Sequence, residues 1–183
     1  MKNFKLIESI LPPPAYYWVG DGFRVHNFFP GGYHQFTNQI NPFYLVDYNA
    51  TYEFTPTEKQ RGVEIHPHRG FETVTFAYQG AIAHHDSYGN KGVIEEGDVQ
   101  WMTAGSGILH KEYHHNSFAK KGGLFQMVQI WVNLPSRYKM TNPKYQAIKR
   151  ERMGKYELPD QSGIVSVVAG KYKESGSRPE PPR

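Results

Sequence analysis

The sequence predicts an all-β fold, either a sandwich or a barrel. Residues that form turns and strands are both plentiful, because the 183-residue chain has 18 Gly, 13 Pro, 13 Tyr and 11 Phe. Turn signals such as Gly20-Asp21-Gly22 and Glu96-Gly97-Asp98 recur about every 8–12 residues, which is the spacing of short antiparallel strands. A chain of this length buries about 70% of its unfolded surface, so it folds without disulfides, and it has no cysteine.

The segments between the turns have the composition of strands. The strands predicted are Tyr16–Trp18, Phe23–Phe29, Tyr44–Tyr52, Gly62–His68, Glu72–Gln79, Ala81–Asp86, Lys91–Glu95, Asp98–Met102, Ile108–Tyr113, Leu124–Asn133 and Ile164–Tyr172. Neither face of Leu124–Asn133 is cleanly polar, which is typical of a strand between two packed layers. Only Asn142–Arg152 has helical character, with Pro143 near its start and a weakly amphipathic spacing.

The charge is unevenly distributed along the chain. Residues 1–135 carry 10 Lys and Arg against 12 Asp and Glu, whereas residues 136–183 carry 11 against 5. Basic residues are not interleaved with aromatic ones there, so we expect a solvated face and no nucleic-acid partner. No segment approaches about 18 apolar residues and the start lacks a signal peptide. We therefore expect no membrane association and a cytoplasmic location.

Two pairs of metal-binding residues lie on predicted strands. His66 and His68 form one pair, and His110 and Glu112 form the other. Side chains at positions i and i+2 of a strand point to the same face, so each pair directs two groups into one space. Three imidazoles and one carboxylate suit a first-row metal and leave coordination positions open. We expect one divalent ion, with iron preferred and nickel, copper, manganese or zinc as alternatives.

Other acidic and histidine residues compete for these roles. Glu72 has the same strand parity as His68, unless Gly70 bends the chain and rotates Glu72 away. His84 and His85 are adjacent and point to opposite faces, so they cannot both be ligands. We expect Glu72, His85 and His114 to lie around the site and orient the ligands.

Apolar side chains near these strands are candidates to line a substrate cavity, since small-molecule sites are mostly apolar. They are Phe71, Phe76, Trp101, Met102, Phe125, Met127 and Trp131. For each of them taken singly, an ordinary place in the barrel core is the simpler expectation.

Three stretches of the sequence together resemble the pirin family of the cupin superfamily. They are His66-Pro-His-Arg-Gly-Phe-Glu-Thr-Val-Thr75, Asp86-Ser87 and Gly97-Asp-Val-Gln-Trp-Met-Thr-Ala-Gly-Ser-Gly-Ile-Leu-His-Lys-Glu112. The resemblance implies a cupin-type jelly-roll β-barrel that holds one iron through His66, His68, His110 and Glu112. Other cupins take their carboxylate from the position of Glu72, whereas the pirin branch uses that of Glu112.

The resemblance also implies two alternative functions. Bacterial pirins are similar to quercetinases, which open the central ring of a flavonol with dioxygen and release carbon monoxide. On this hypothesis the substrate is a small flavonol-like aromatic molecule, and Glu112 is both a metal ligand and the catalytic base. Eukaryotic pirins are nuclear proteins associated with transcription factors. The alternative hypothesis is therefore a metal-loaded regulatory module that binds a protein partner without turnover.

The family pattern predicts a division of the chain at residue 135. Residues 1–135 form the cupin barrel that carries the metal site. Residues 136–183 form a helical or irregular extension, with a basic linker, a short helix, the first strand of a second cupin near Gly163–Tyr172 and a disordered tail. Pirins carry a complete second barrel, and surface left uncovered in its place predicts a homodimer.

Overall fold

A computed structural model describes residues 6–7, 9–31 and 39–172 of the chain. It contains thirteen strands. They are β1 (Tyr16–Val19), β2 (Phe23–Phe29), β3 (Phe43–Phe54), β4 (Gly62–His68), β5 (Phe71–Gln79), β6 (Ala81–Asp86), β7 (Lys91–Glu95), β8 (Val99–Thr103), β9 (Ile108–His114), β10 (Gly123–Asn133), β11 (Lys144–Ile148), β12 (Gly154–Glu157) and β13 (Ile164–Val167). One short helix, α1 (Asn116–Lys121), and single 3-10 turns at Ser136–Tyr138, Arg150–Arg152 and Pro159–Gln161 complete the described chain.

Eleven of the thirteen strands form two antiparallel sheets that face each other, and β12 and β13 pair in a separate two-stranded sheet. The larger sheet has the order β1-β2-β3-β10-β5-β8-β11, and the smaller has the order β4-β9-β6-β7. The chain passes from the larger sheet to the smaller at Gly80, where φ is +87° and a Cβ would overlap the Phe125 ring. Two facing sheets built from non-consecutive strands form the predicted jelly-roll barrel.

One end of the barrel interior is packed with aromatic side chains. Phe54, Phe118 and Phe125 lie edge-to-face or tilted against one another, and all three are buried. Ile82 and Ile94 of the smaller sheet belong to the same apolar cluster, so this cluster joins the two sheets. We call this region the filled end of the barrel. Burial of such side chains contributes roughly 1.5–3 kcal/mol each to folding.

The predicted helix at Asn142–Arg152 is wrong. Its centre, β11, pairs with β8 along its whole length, from Lys144 opposite Thr103 to Ile148 opposite Val99. Tyr145 and Ile148 lie on opposite faces of β11, so Tyr145 stacks on His84 of the smaller sheet, whereas Ile148 packs with Val74, Val99 and Met153. The segment pairs with the open edge of β8 although its sequence has a weak helical period. Pairing satisfies backbone groups that a short helix would leave to solvent. The irregular character of the extension is otherwise as predicted, with 3-10 turns on either side of β11.

The sequence predicts most strands to within two residues, and β2, β4, β6 and β7 have the predicted bounds. The last strand is shorter than predicted, since β13 ends at Val167. The predicted disordered tail, residues 174–183, lies outside the described residues. Within the described ranges, no helix is long and apolar enough to cross a membrane.

Candidate metal centre

A β-bulge in β4 places the first histidine pair. β4 pairs with β9 so that Val63 lies opposite Glu112 and His66 opposite His110, which leaves one additional residue on β4. The extra residue lies at Glu64–Ile65, and Ile65 is 67% exposed. A bulge of this kind shifts strand parity by one. His68 is consequently buried, and His66 points to the same side.

The two strands bring three of the predicted ligands together. His66, His68 and His110 each offer a ring nitrogen, and these nitrogens lie within 4.8 Å of one another. Their ring centroids are separated by 4.4 Å for His66 and His110, 4.7 Å for His68 and His110, and 4.8 Å for His66 and His68. We call these residues the three-histidine cluster.

Two members of the cluster are held in the neutral form. Burial, together with the nearby His110 and His66, lowers the pKa of His68 to about 3. Burial likewise lowers the pKa of His110 to about 3, with His66 and His84 adding to the effect. Neutral imidazole is the form that binds a metal, so these groups are ready to act as ligands at neutral pH.

Hydrogen bonds define which ring nitrogen is free. His66 Nδ1 lies 2.8 Å from the carbonyl oxygen of Glu64, which can only accept, so Nδ1 is the protonated nitrogen and Nε2 has the lone pair. His110 Nδ1 lies 3.3 Å from His84 Nδ1, and its Nε2 is buried without a hydrogen-bond partner among the described residues. The rings of His66 and His110 therefore each have an Nε2 lone pair free to bind a metal. A set of imidazole donors of this kind fits a divalent first-row metal.

Glu112 lies beside the cluster and is held by two amides. Gln100 Nε2 donates to Oε1 at 2.6 Å, and Gln129 Nε2 donates to Oε2 at 2.9 Å. Each carboxylate oxygen keeps a further lone pair for a metal or a proton. Glu112 groups within 4.8 Å with His110 and His84 rather than with all three clustered histidines, and His110 is common to both groups.

A cavity of about 580 Å³ opens over the cluster, at what we call the cavity end of the barrel. His66, His68 and Glu112 contribute to its wall. The apolar part of the wall includes Phe71 and Trp131, whose rings stack at 4.5 Å and 27°. Of the predicted lining residues, Phe71, Met127 and Trp131 line the cavity, whereas Met102 and Phe125 are fully buried in the core.

A second carboxyl group faces the cavity from the larger sheet. Asp47 lies in β3 opposite Gln129, and both residues line the cavity. Asn27 Nδ2 donates to Asp47 Oδ1, and Oδ2 has no partner among the described residues. Burial raises the pKa of Asp47 to about 6, although the Asn27 hydrogen bond opposes the rise. The cavity therefore has carboxyl groups on two sides.

The structure does not place the three predicted orienting residues around the cluster. Glu72 lies in the larger sheet, where it accepts a hydrogen bond from Thr103 Oγ1. His85 is exposed and bonds Tyr113 Oη at 2.7 Å. His114 is buried at the filled end, where its Nε2 donates to the Gly22 carbonyl oxygen at 2.8 Å. Gly70, with φ at +79°, separates β4 from β5 and turns Glu72 away, as its position in the sequence suggested.

Other polar residues around the site were not predicted. They are Asp47, His84, Asp86, Gln100 and Gln129. His84 and Asp86 had a detectable signal, because they are two residues apart on one strand, like the two ligand pairs. The two glutamines lie in predicted strands of the other sheet, and their approach to Glu112 depends on how the sheets face each other.

A sequence model of the Pirin family matches residues 22–132, which include the whole candidate centre. The chain belongs to the pirin family. A Pseudomonas aeruginosa relative named "Putative quercetin 2,3-dioxygenase" is 52% identical over 156 residues, covering 85% of this chain and 54% of the relative. Pirin-1 of Arabidopsis thaliana is 47% identical over 112 residues, covering 60% of this chain and 35% of the relative.

The fold is shared with solved structures. A crystal structure of quercetin 2,3-dioxygenase from Acinetobacter baumannii superposes with a TM-score of 0.82 and 50% identity. The match covers 92% of this chain and 59% of that one. The chain thus has the cupin fold of its relatives, and it spans 54% of the length of the Pseudomonas relative and 59% of the Acinetobacter chain.

Proposed function

We propose that this pirin is a metal-dependent dioxygenase of the quercetin 2,3-dioxygenase type. The observation that carries the proposal is the three-histidine cluster beside Glu112, with His66, His68 and Glu112 in the wall of a largely apolar cavity. The names of the Pseudomonas and Acinetobacter relatives support the same activity. A structural metal site would be closed by four ligands, whereas this donor set faces an open cavity.

The metal would be held by His66, His68, His110 and Glu112. When bound, the ion supplies Lewis acidity and the redox chemistry with dioxygen that no side chain offers. The carboxylate among the imidazoles favours a harder metal, and iron is our first choice. The bulge in β4 and the pairing of β4 with β9 fix the spacing of the three histidines before any metal arrives. Such a prearranged site binds its metal without reorganising the chain.

The cavity matches a flat, polyhydroxylated aromatic substrate. The stacked rings of Phe71 and Trp131 give one wall a planar apolar surface. Asp47 offers an oxygen that has no hydrogen-bond partner among the described residues, so a ring hydroxyl of the substrate can donate to it. His66 and Glu112 lie in the wall of the same cavity, which places a bound hydroxyl group near the ligands.

Glu112 is the residue best placed to take the substrate's hydroxyl proton. Its Oε2 accepts from Gln129 Nε2 at 2.9 Å, and Glu112 and Gln129 both line the cavity. The amide donors of Gln100 and Gln129 hold the carboxylate in one orientation. Ionised flavonol is the more readily oxidised species, and Arg69 in the cavity wall adds a positive charge near it.

The test is a turnover assay with protein loaded with iron and its metal content measured. Quercetin under air should lose its flavonol absorbance, with carbon monoxide released in equal amount. Glu112→Gln should reduce turnover by about 100-fold or more, since a general base typically contributes that much. His85→Ala, which removes an exposed histidine on the outer face, should match wild type.

Metal-loaded protein that leaves quercetin intact would contradict the proposal and leave the regulatory module as the remaining hypothesis. The iron itself, a protein partner, a homodimer, the cytoplasmic location and the division of the chain at residue 135 remain predictions.

A further inference from the structure

A second polar pair lies behind the three-histidine cluster, away from the cavity. His84 and Asp86 lie two residues apart on β6, and both side chains are completely buried. β6 pairs with β9 so that His84 lies opposite Glu112 and Asp86 opposite His110. Neither residue lines the cavity. A histidine and a carboxylate withdrawn from solvent in this way must be matched by partners, since burying them unpaired is costly.

The partners of Asp86 leave it able only to accept. Backbone N–H groups of Tyr88 and Asn90 donate to Oδ1 at 2.9 and 3.0 Å. The Asn90 side-chain amide donates to Oδ2 at 2.9 Å. His84 Nε2 lies 3.1 Å from the same Oδ2, so Nε2 is the nitrogen that donates. The neutral His84 ring then has its lone pair on Nδ1.

This arrangement determines the proton on His110. His84 Nδ1 is an acceptor 3.3 Å from His110 Nδ1, so His110 Nδ1 is the donor. His110 Nε2 is left with the lone pair, and it is buried without a partner among the described residues. His66 reaches the same state through the Glu64 carbonyl. A carbonyl fixes the direction of a hydrogen bond by itself, whereas a histidine acceptor needs Asp86 to fix it.

A residue of the extension holds His84 in place. The Tyr145 ring of β11 stacks on the His84 ring at 4.4 Å and 18°. Gly92 of β7 makes room for it, because a Cβ there would overlap the Tyr145 hydroxyl. The plane of the His84 ring is therefore set by packing, and its two nitrogens are aligned with Asp86 on one side and His110 on the other.

We propose that Asp86 and His84 are positioning residues that hold His110 in the Nδ1–H tautomer and so present its Nε2 lone pair to the metal. The inference rests on the proposed metal site. An alternative metal position would use the overlapping group of His84, His110 and Glu112. A metal between the Nδ1 atoms of His84 and His110 would leave His110 protonated at Nε2, which is the opposite of the tautomer that we propose. In our assignment His84 is never a ligand.

The deciding variant is Asp86→Asn, which keeps the shape of the side chain and replaces one acceptor oxygen with an NH2 donor. The Asn amide donates to His84 Nε2, His84 Nδ1–H then donates to His110 Nδ1, and the proton of His110 moves to Nε2. Affinity for Co²⁺, measured by chelator competition, should fall about 10- to 100-fold, as is typical when an outer partner of a metal ligand is lost. Asp98→Asn is the matched control, because the Asp98 side chain is also largely buried, at 7% exposure, but bonds Lys149 and Arg150 instead.

A second measurement does not depend on metal or on the variant folding. Long-range ¹H–¹⁵N correlation spectra of the metal-free wild-type protein report the tautomer of each histidine. His110 should be protonated at Nδ1, and an Nε2–H tautomer would overturn the inference. Folded Asp86→Asn protein with wild-type Co²⁺ affinity would also overturn it. If wild-type protein binds no Co²⁺, the proposed metal site fails, while the spectra still decide the tautomer.

Discussion

His110 and His114 lie four residues apart on β9, on the same face of one strand, and each is 1% exposed. Burial lowers the pKa of His110 to about 3 and that of His114 to about 4. Each ring has one bonded nitrogen and one buried nitrogen without a partner among the described residues. By residue type, parity, burial and charge state, the two histidines are nearly equivalent.

They differ in what the other strands bring to them. The ring of His110, at the cavity end, lies against two further imidazoles. The ring of His114, at the filled end, is surrounded by Phe23, Phe54, Phe118 and Phe125 at centroid distances of 4.5–5.8 Å. An unpartnered buried nitrogen does not mark a metal site by itself. The groups that it faces decide its chemistry, and those come from elsewhere in the sequence.

The same contrast occurs on β3 of the larger sheet. Asn49 is fully buried, accepts from the Arg24 N–H at 3.0 Å and donates to the Ala50 carbonyl at 2.9 Å. Asp47, two residues earlier on the same face, lines the cavity and keeps one oxygen without a partner among the described residues. Polar groups at the cavity end therefore retain hydrogen-bonding capacity that a ligand can use.

The largest effect is expected from His110→Ala. Removing a ligand should weaken metal binding more than loss of an outer partner does, so by more than about 100-fold. Chelator competition and metal analysis measure the change, and far-UV circular dichroism verifies the fold. Wild-type metal content in the folded variant would reject His110 as a ligand.

His114→Ala should have the opposite profile. It empties space between four phenyl rings and leaves the Gly22 carbonyl without its donor, so the free energy of unfolding should fall by about 3 kcal/mol. Metal bound per folded molecule should stay at the wild-type value. Urea denaturation measures the first quantity and metal analysis of the soluble fraction the second. If His114→Ala lost metal without losing stability, His114 would act like His110, and the proposed difference in role between the two histidines would be wrong.

Asp47→Asn tests the cavity end through pH. The pKa of Asp47 is raised from 3.8 to about 6 by burial, so the folded protein retains this proton where the unfolded chain has lost it. The stability that Asp47 contributes is therefore complete below about pH 4 and is lost as pH rises through 6. The difference in the free energy of unfolding between the variant and wild type should therefore shift in favour of the variant by about 2 kcal/mol between pH 4 and pH 7.

Asp98→Asn is the control of opposite sign for this experiment. Burial raises the pKa of Asp98, but hydrogen bonds from Lys149, Arg150 and Glu95 outweigh it and hold the pKa below its usual value. This variant should therefore lose stability relative to wild type above pH 4 rather than gain it. Urea denaturation at pH 4 and pH 7.5 measures the stability of each of the two variants against wild type. Parallel pH profiles for wild type and Asp47→Asn would contradict the raised pKa.

The smallest effect is expected from His85→Ala. His85 is adjacent to the buried His84 but lies on the outer face, stacked on Tyr113 at 10°. Its removal should change stability within about 0.5 kcal/mol and leave metal affinity unchanged. Isothermal titration with Co²⁺ and thermal unfolding are sufficient measurements. A clear drop in affinity would mean that the outer face of the smaller sheet also supports the centre.

Local signals in the sequence predicted much of this architecture. Strand bounds were predicted where turns punctuate short β-rich runs, as at β4 and β6. Spacing by two residues identified His66 with His68 and His110 with Glu112 as pairs, and the structure places the three histidines in one cluster. The fourth group, Glu112, lies beside the cluster, and its role as a ligand stays a prediction.

What the sequence did not predict depends on pairing between distant strands. The bulge at Glu64–Ile65 exists only relative to the register of β9. The contact of Gln129 with Glu112 depends on the two sheets facing each other. The strand β11 replaces a predicted helix because β8 offers an open edge. In each case the deciding partner is far away in the chain, so a local pattern cannot show it.

Because of the bulge, mutations can disturb the two proposed ligands with hydrogen-bonded Nδ1 atoms, His66 and His110, with unequal ease. The acceptor that orients His66 is the main-chain carbonyl of Glu64, so any amino acid at that position provides it. Only a change in the length of the chain at the bulge would remove it. The acceptors behind His110 are side chains, and a single codon change at His84 or Asp86 deletes them. Variation among pirins should therefore reach the centre through β6 sooner than through the bulge of β4.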